Sequence, residues 1–328
     1  MNLLILGGTK FVGRHITAHA LMRGHHVTLF NRGQTNANLF PDAEKISGDR
    51  DGGLDALLSK GKRTWDAVLD VNGYVPRIVG ASAALLKDAV ERYVFVSTLS
   101  VFADFSKQGM NEDSPLATLE DETTEVIDGD TYGGLKVLCE RAVQNAFPER
   151  ALILRPGYVV GPYDHTDRMT AWWRRITRGG EMLAPGSPET PIQFIDGRDL
   201  AAFTIDMVER HAVGIYNTHG LGSHLTWGEC FDKAQMVTGT DTTFTWVSED
   251  FLRAQQFEGG ELPIFAFSED LGIFTFNNHK AISAGLHFRP ITETIRDTLL
   301  WDASEGVHKL GLKPEREQEL LRAWHERQ

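Results

Sequence analysis

Apolar and polar positions alternate in blocks along the first two thirds of the chain. Asn2–Leu6 is an apolar run of strand length, stopped by Gly7 and Gly8. An apolar-periodic segment then runs from Phe11 to about Arg23, with Gly24 as its stop, and this predicts a helix. The same reading predicts strands over residues 25–30, 44–47, 65–71, 92–97 and 151–154, with helices over 77–87 and 131–146. Unbroken apolar strands alternating with helices point to a parallel sheet covered on both faces and joined by right-handed crossovers. The predicted fold class is therefore α/β, a doubly wound parallel sheet. Further on, the pattern predicts a turn over 159–162, a helix over 167–177, a short strand over 191–195, a helix over 198–209 and a last sheet strand over 214–217. Helices over 226–237, 291–301 and 315–327 complete it. The chain thus divides into a main sheet domain, 1–160, and a smaller region, 161–328, from which 191–217 returns to the main sheet.

A strand, a glycine turn and a helix make the first half of a dinucleotide-binding βαβ unit, the Rossmann signature. The turn is Gly7, Gly8, Thr9, Lys10, Phe11, Val12 and Gly13. Glycine lets the backbone approach a pyrophosphate, and the free N–H groups of the helix start point at the anion. Gly13 lets the helix pack close to the strand. A carboxylate at the end of the second strand would bind the adenosine ribose of NAD. This chain has Asn31 and Arg32 there, and a guanidinium suits a 2′-phosphate, so NADP is favoured over NAD. Asp49, after the third strand, is placed to accept a bond from the adenine amino group. Asp70 closes the fourth strand at the same carboxyl edge of the sheet and counts as a cofactor-side residue.

Tyr132 and Lys136 lie four residues apart on a predicted helix and so share a face. An ammonium beside a phenol favours the phenolate and lowers its pKa. Such a phenolate takes the proton of a substrate hydroxyl as hydride leaves its carbon, and the phenol returns it in the reverse direction. Thr98, after the fifth strand, offers a hydroxyl to the reacting oxygen, and Lys136 can also hold the nicotinamide ribose. Between them runs an acidic segment, 111–130, read as a solvated loop or, alternatively, as a lid over the substrate mouth. Arg168, Arg174, Arg175 and Arg178 can hold a diphosphate, or line a solvated helix face.

Bulk properties narrow the partners. The 328 residues are 41% hydrophobic and 24% charged, ordinary globular values. A formal charge of −12 argues against nucleic acid as a partner, because phosphate contacts need clustered Lys and Arg. Cys139 and Cys230 make neither a disulfide framework nor a metal knuckle, and the pair His15 and His19 lacks a third ligand, so no metal is expected. No cationic leader precedes the first strand and no apolar run reaches spanning length, which predicts a cytoplasmic location without a membrane partner.

The motifs LLILGGTKFVG, VFVSTLSVF, YGGLK, LRPGYVVGP and FIDGRDLA, with Asp49, occur in an order that resembles the extended short-chain dehydrogenases/reductases of the NAD-dependent epimerase/dehydratase family. The resemblance implies Thr98, Tyr132 and Lys136 as the catalytic triad. It places Gly7, Gly13, Arg32 and Asp49 on the cofactor, and Tyr158 and Val159 near the nicotinamide. It implies hydride transfer on a secondary alcohol or ketone of a small molecule, most commonly a sugar or nucleotide sugar, and a homodimer built on the Tyr-bearing helix and the helix at 77–87. Two departures stand out. Lys10 replaces the usual middle glycine, as in atypical members that include chloroplast stem-loop RNA-binding proteins. Leu99 and Ser100 stand where the sugar-nucleotide dehydratases carry Asp-Glu, which disfavours elimination of water. The alternative reading is a non-catalytic nucleotide-sensing or RNA-binding protein of the same fold.

Overall fold

The computed structural model describes residues 1–58, 63–220, 225–257, 260–306 and 308–327. The elements run β1 (Asn2–Leu6), α1 (Phe11–Met22), β2 (His26–Asn31), β3 (Glu44–Ser47), β4 (Trp65–Asp70), α2 (Pro76–Leu86), β5 (Val90–Val96), α3 (Tyr132–Ala146) and β6 (Ala151–Pro156). They continue with β7 (Val159–Val160), α4 (Arg168–Ile176), β8 (Gly180–Pro185), β9 (Ile195–Asp196), α5 (Gly197–Glu209), β10 (Gly214–Thr218), α6 (Trp227–Thr238) and β11 (Thr242–Val247). Last come α7 (Glu249–Ala254), α8 (His279–Ser283), α9 (Ile291–Glu305) and α10 (Pro314–His325).

Seven parallel strands form the main sheet in the order β3-β2-β1-β4-β5-β6-β10. The order reverses between β1 and β4, the switch point where open α/β sheets bind ligands at the carboxyl ends of their strands. Strand alternation sorts the core. Leu3 and Ile5 of β1 point to one face and pack with Ile16 and Ala20 of α1 and Leu200 of α5. Leu4 and Leu6 point to the other and pack with Val79 and Ala83 of α2 and Cys139 and Val143 of α3. Both faces are dry, which is why the strands read as unbroken apolar runs.

A second core gathers Trp172, Trp173, Trp227, Phe231 and Phe194. Its α6 is started by a capping box, Thr226 with Glu229, and stopped by Gly239 at φ +66°. Two strands here, β8 and β11, pair in parallel and were absent from the sequence reading. β8 opens on Gly180 and closes on Pro185, and its partner lies beyond β9, α5, β10 and α6, so no hairpin signal joins them. Of the predicted turn at 159–162, Val159–Val160 forms β7 and Gly161–Pro162 turns as expected; β7 pairs with β9, which takes only Ile195 from the predicted strand at 191–195 and adds Asp196. Among the described residues no helix is long and apolar enough to cross a membrane.

Candidate functional site

The glycine turn is shaped by contacts that tolerate no side chain. Gly8 sits at φ +92°, and a Cβ there would fall 2.6 Å from Leu29 Cδ2. A Cβ on Gly13 would fall 2.9 Å from the Gly8 nitrogen. The Thr17 hydroxyl donates to the carbonyls of Gly8 (2.9 Å) and Gly13 (2.8 Å), fastening turn to helix. The first N–H groups of α1 therefore open into a cleft of about 900 Å³ that includes Gly7, Gly8, Thr9, Lys10, Phe11, Val12 and Gly13 in its lining. Lys10 is exposed at its rim. Burial first, then Lys10, Lys309 and Arg168, push His165 down to about 4, so its ring is neutral at pH 7 and the surrounding field is positive.

The cleft runs from Arg32 and Asp49 at one end to Thr98, Tyr132 and Lys136 at the other. Its volume and glycine floor fit a dinucleotide. Asn31 is occupied by the fold: its amide donates to the Gly7 carbonyl (3.0 Å) and its oxygen accepts from Gly33 N–H (2.9 Å). Arg32 is exposed beside it, and Asp49 faces the cleft with one oxygen taken by the N–H of Asp51 at 3.0 Å. Asp70 is a correction. It is fully buried behind the cleft, paired with Arg50 and accepting from the Tyr93 hydroxyl at 2.8 Å. An unpaired carboxylate that deep is too costly, so Asp70 serves to aim Arg50, which lines the cleft in its place.

At the other end Tyr132 opens α3, and Lys136 lies one turn along. The Thr98 hydroxyl lies near the Tyr132 phenol and lowers its pKa, and it donates to Ser100 Oγ at 3.1 Å. The Tyr74 ring, not singled out in the sequence, stands 6.4 Å from that of Tyr132. The expected depression of the phenol by Lys136 is absent. Burial raises the Tyr132 pKa and Tyr74 adds to the rise, while Thr98 and Arg168 oppose it. Lys136 is turned away, donating to the carbonyls of Gly73 (2.7 Å) and Val96 (2.8 Å), and burial brings it down to about 8.

The sign of that effect is testable. Below pH 8 both folded and unfolded chains carry the ammonium, and the folded one bears its full burial cost. From pH 8 to the ordinary 10.5 the unfolded state binds more protons, so this group makes stability rise with pH. Denaturant midpoints across that window should climb more in the wild type than in Lys136→Met; equal slopes would refute it.

Below these residues lies a buried ion pair. Arg155 reaches Glu140 through Nε at 3.0 Å and Nη2 at 2.7 Å, and the Ser97 hydroxyl donates to the same carboxylate at 2.5 Å. Arg155 also donates to the Glu112 carbonyl (3.2 Å), and the Glu112 carboxylate accepts from Asn217 N–H (2.8 Å). The acidic segment is therefore pinned rather than freely solvated. Glu125 pairs with Arg77, Asp128 accepts from the N–H of Thr131 at the start of α3, and Ile127 reaches the cleft wall.

A second cleft, about 480 Å³, meets the first at Thr98, Tyr132, Gly157 and Arg168. Tyr158 lines this second cleft, whereas Val159 lines the first. Of the arginines considered for a diphosphate, Arg174 is committed to Asp167 and Asp302, and Arg175 to Glu317. Arg168 alone of the four borders the clefts. His15 bonds the Pro162 carbonyl at 2.9 Å, and among the described residues no three His, Cys, Asp or Glu side chains are grouped to hold a metal.

Residues 73–218 match the model of the NAD dependent epimerase/dehydratase family. Over that stretch the chain is similar to this family. The matched segment carries Thr98, Tyr132, Lys136 and Arg168, while the glycine turn lies upstream of it. A chloroplast stem-loop binding protein of 41 kDa from Arabidopsis thaliana is 24% identical over 239 residues, 67% of this chain and 58% of that protein. UDP-glucose 4-epimerase from Neisseria meningitidis is 27% identical over 185 residues, 47% of this chain and 51% of the enzyme. The chain thus matches little more than half the length of these curated relatives. Among solved structures, the Bordetella bronchiseptica enzyme WbmG in complex with NAD and UDP has the same fold at a TM-score of 0.69, with 17% identity over 94% of this chain and 99% of that one.

Proposed function

We propose that the chain is an NAD(P)-dependent epimerase or reductase acting on a secondary alcohol or ketone of a nucleotide-linked sugar. The observation that carries this reading is that Thr98 and Tyr132 both line the junction where the two clefts meet. A nicotinamide bound at that junction supplies hydride exchange with the substrate carbon. Tyr132 then holds or accepts the proton at its Oη, and Thr98 orients the reacting oxygen. Lys136 fixes the strand ends at Gly73 and Val96, and its remaining N–H is free to meet a ribose hydroxyl.

The cofactor preference follows from the end of β2. With Asn31 committed, the end of β2 carries no carboxylate of its own, and Arg32 attracts a 2′-phosphate. Arg32→Ala is expected to weaken NADP binding by roughly tenfold and leave NAD unchanged, as for loss of one charge-assisted bond. Calorimetric titration of both nucleotides checks this.

The test of the whole reading is the nucleotide released on denaturation, read by mass spectrometry, followed by incubation with UDP-glucose and nuclear magnetic resonance of the sugar. Interconversion with cofactor retained through gel filtration supports an epimerase. Consumption of added NADPH supports a reductase. Failure to bind either nucleotide overturns the proposal. The stem-loop binding relative keeps the RNA-binding alternative in view, and the net charge of −12 opposes it.

A further inference from the structure

Arg77 stands in the first turn of α2 and does not line the first cleft, yet it joins two segments that do. Its Nη1 and Nη2 donate to the two Asp51 carboxylate oxygens at 2.7 and 3.0 Å. Its Nε and Nη2 donate to the two Glu125 oxygens at 2.7 and 3.1 Å. Asp51 follows β3 and lines the cleft, and Glu125 lies two residues from Ile127, which lines it too.

An isolated ion pair at a surface adds little, because water and salt screen it and both side chains lose freedom. This one differs in geometry. Both contacts are bidentate, and the planar guanidinium offers a fixed fork to each carboxylate. Its hold keeps both carboxyls below their ordinary range, so both arms are charged at neutral pH.

The segment beyond Glu125 is fastened at its other end. The Thr131 hydroxyl donates to the Val126 carbonyl at 2.6 Å, and the Asp128 carboxylate accepts from the N–H groups of Asp130 and Thr131, both at 3.0 Å. Tyr132 N–H donates to the Asp128 carbonyl at 3.1 Å. Residues 125–131 therefore form a short strap from Arg77 to the start of α3. Ile127 rides on it, half-exposed at the edge of the cleft, where a bound molecule would cover more of it.

We infer that Arg77, Asp51 and Glu125 form a latch on the first cleft, which keeps the strap and its Ile127 against a bound dinucleotide and sets how fast that cofactor leaves. This rests on the reading of the cleft as a nucleotide site. The latch lies in solvent, so its strength depends on salt.

The test is the rate of cofactor release. NADPH, or NADH where only that binds, is loaded on the full chain and chased with an excess of the oxidised form, and its fluorescence is followed by stopped flow. Glu125→Ala decides, because two effects have opposite signs. Glu125 and the cofactor are both negative, so by charge alone its removal should slow release. Opening the latch should speed release, and a rise of about fivefold or more is expected. Arg77→Gln should raise the rate by a similar factor and the double variant no further, since either change opens the same latch. Raising the salt from about 50 to about 500 mM should narrow the gap between the wild type and Glu125→Ala. Without nucleotide, amide exchange over 124–131 should quicken in both single variants. Release that is unchanged or slower in Glu125→Ala would overturn the latch and leave the nucleotide site standing, as would amide exchange that does not change. A chain that binds neither NADPH nor NADH overturns both readings.

Discussion

Tyr132→Phe should lower the rate of hydride transfer by about 10²–10⁴-fold while leaving nucleotide affinity unchanged, the range expected when a positioned acid/base is removed. Phenylalanine keeps the ring beside Tyr74 and the start of α3, so folding is not at issue. Only the phenolic oxygen is lost. Single-turnover mixing with NADPH or NADP isolates the step. The wild type adds a directional signature. Burial raises the phenol, so at neutral pH it is protonated in the chain alone. Oxidation of an alcohol needs the phenolate and should accelerate as pH rises. Reduction of a ketone needs the phenol and should stay level until the phenol titrates, then fall. A loss below about tenfold in the variant, outside the range for acid/base catalysis, would remove Tyr132 from the proposed role.

The second large effect concerns stability. Arg155→Ala is expected to cost about 3–5 kcal/mol, because it leaves Glu140 charged and buried with only the Ser97 hydroxyl. Glu140→Ala should cost a similar amount from the other side. The double variant Glu140→Leu with Arg155→Met should recover most of the loss, since an apolar pair pays no desolvation. Urea unfolding of the four proteins compares their stabilities directly. If the single variants are as stable as the wild type, the pair is not the strut described here. The effect should reach the site, because Ser97 precedes Thr98 and Glu140 lies one turn beyond Lys136 on α3. It should also loosen 111–130, whose Glu112 carbonyl rests on Arg155.

The main sheet was legible because its strands are buried on both faces and its turn is marked by glycines. β1 to β6 and their helices fall within a few residues of the predicted spans. Helix α4 was legible, but the fate of its arginines was not: Asp302 and Glu317, which take up Arg174 and Arg175, lie more than a hundred residues away. The same distance hides the cleft's other contributors. Nothing local marks His165 or Thr166 as lining residues, and Tyr74 reads as an ordinary turn residue until β4 and α3 are brought together. Asp70 shows the opposite error. A carboxylate at the end of a strand looks like a ligand, and only Arg50 and Tyr93 packed on it reveal a structural part. The Tyr132 pKa followed the same course, since spacing places Lys136 on the right face but says nothing of the carbonyls that claim its ammonium.

The chain leaves the seven-stranded sheet after β6, builds part of the second core, and returns as β10 beside the strand it left. On the way back α5 closes over α1, supplying Leu200, Phe203 and Ile205 to the face that Ile16 and Ala20 begin. A fragment ending near residue 160 would expose that apolar face and the open edge of β6, so it should aggregate rather than fold as a half-molecule. Unfolding is accordingly expected as one cooperative event that takes both cores together, and a protease should find no stable nucleotide-binding piece to release.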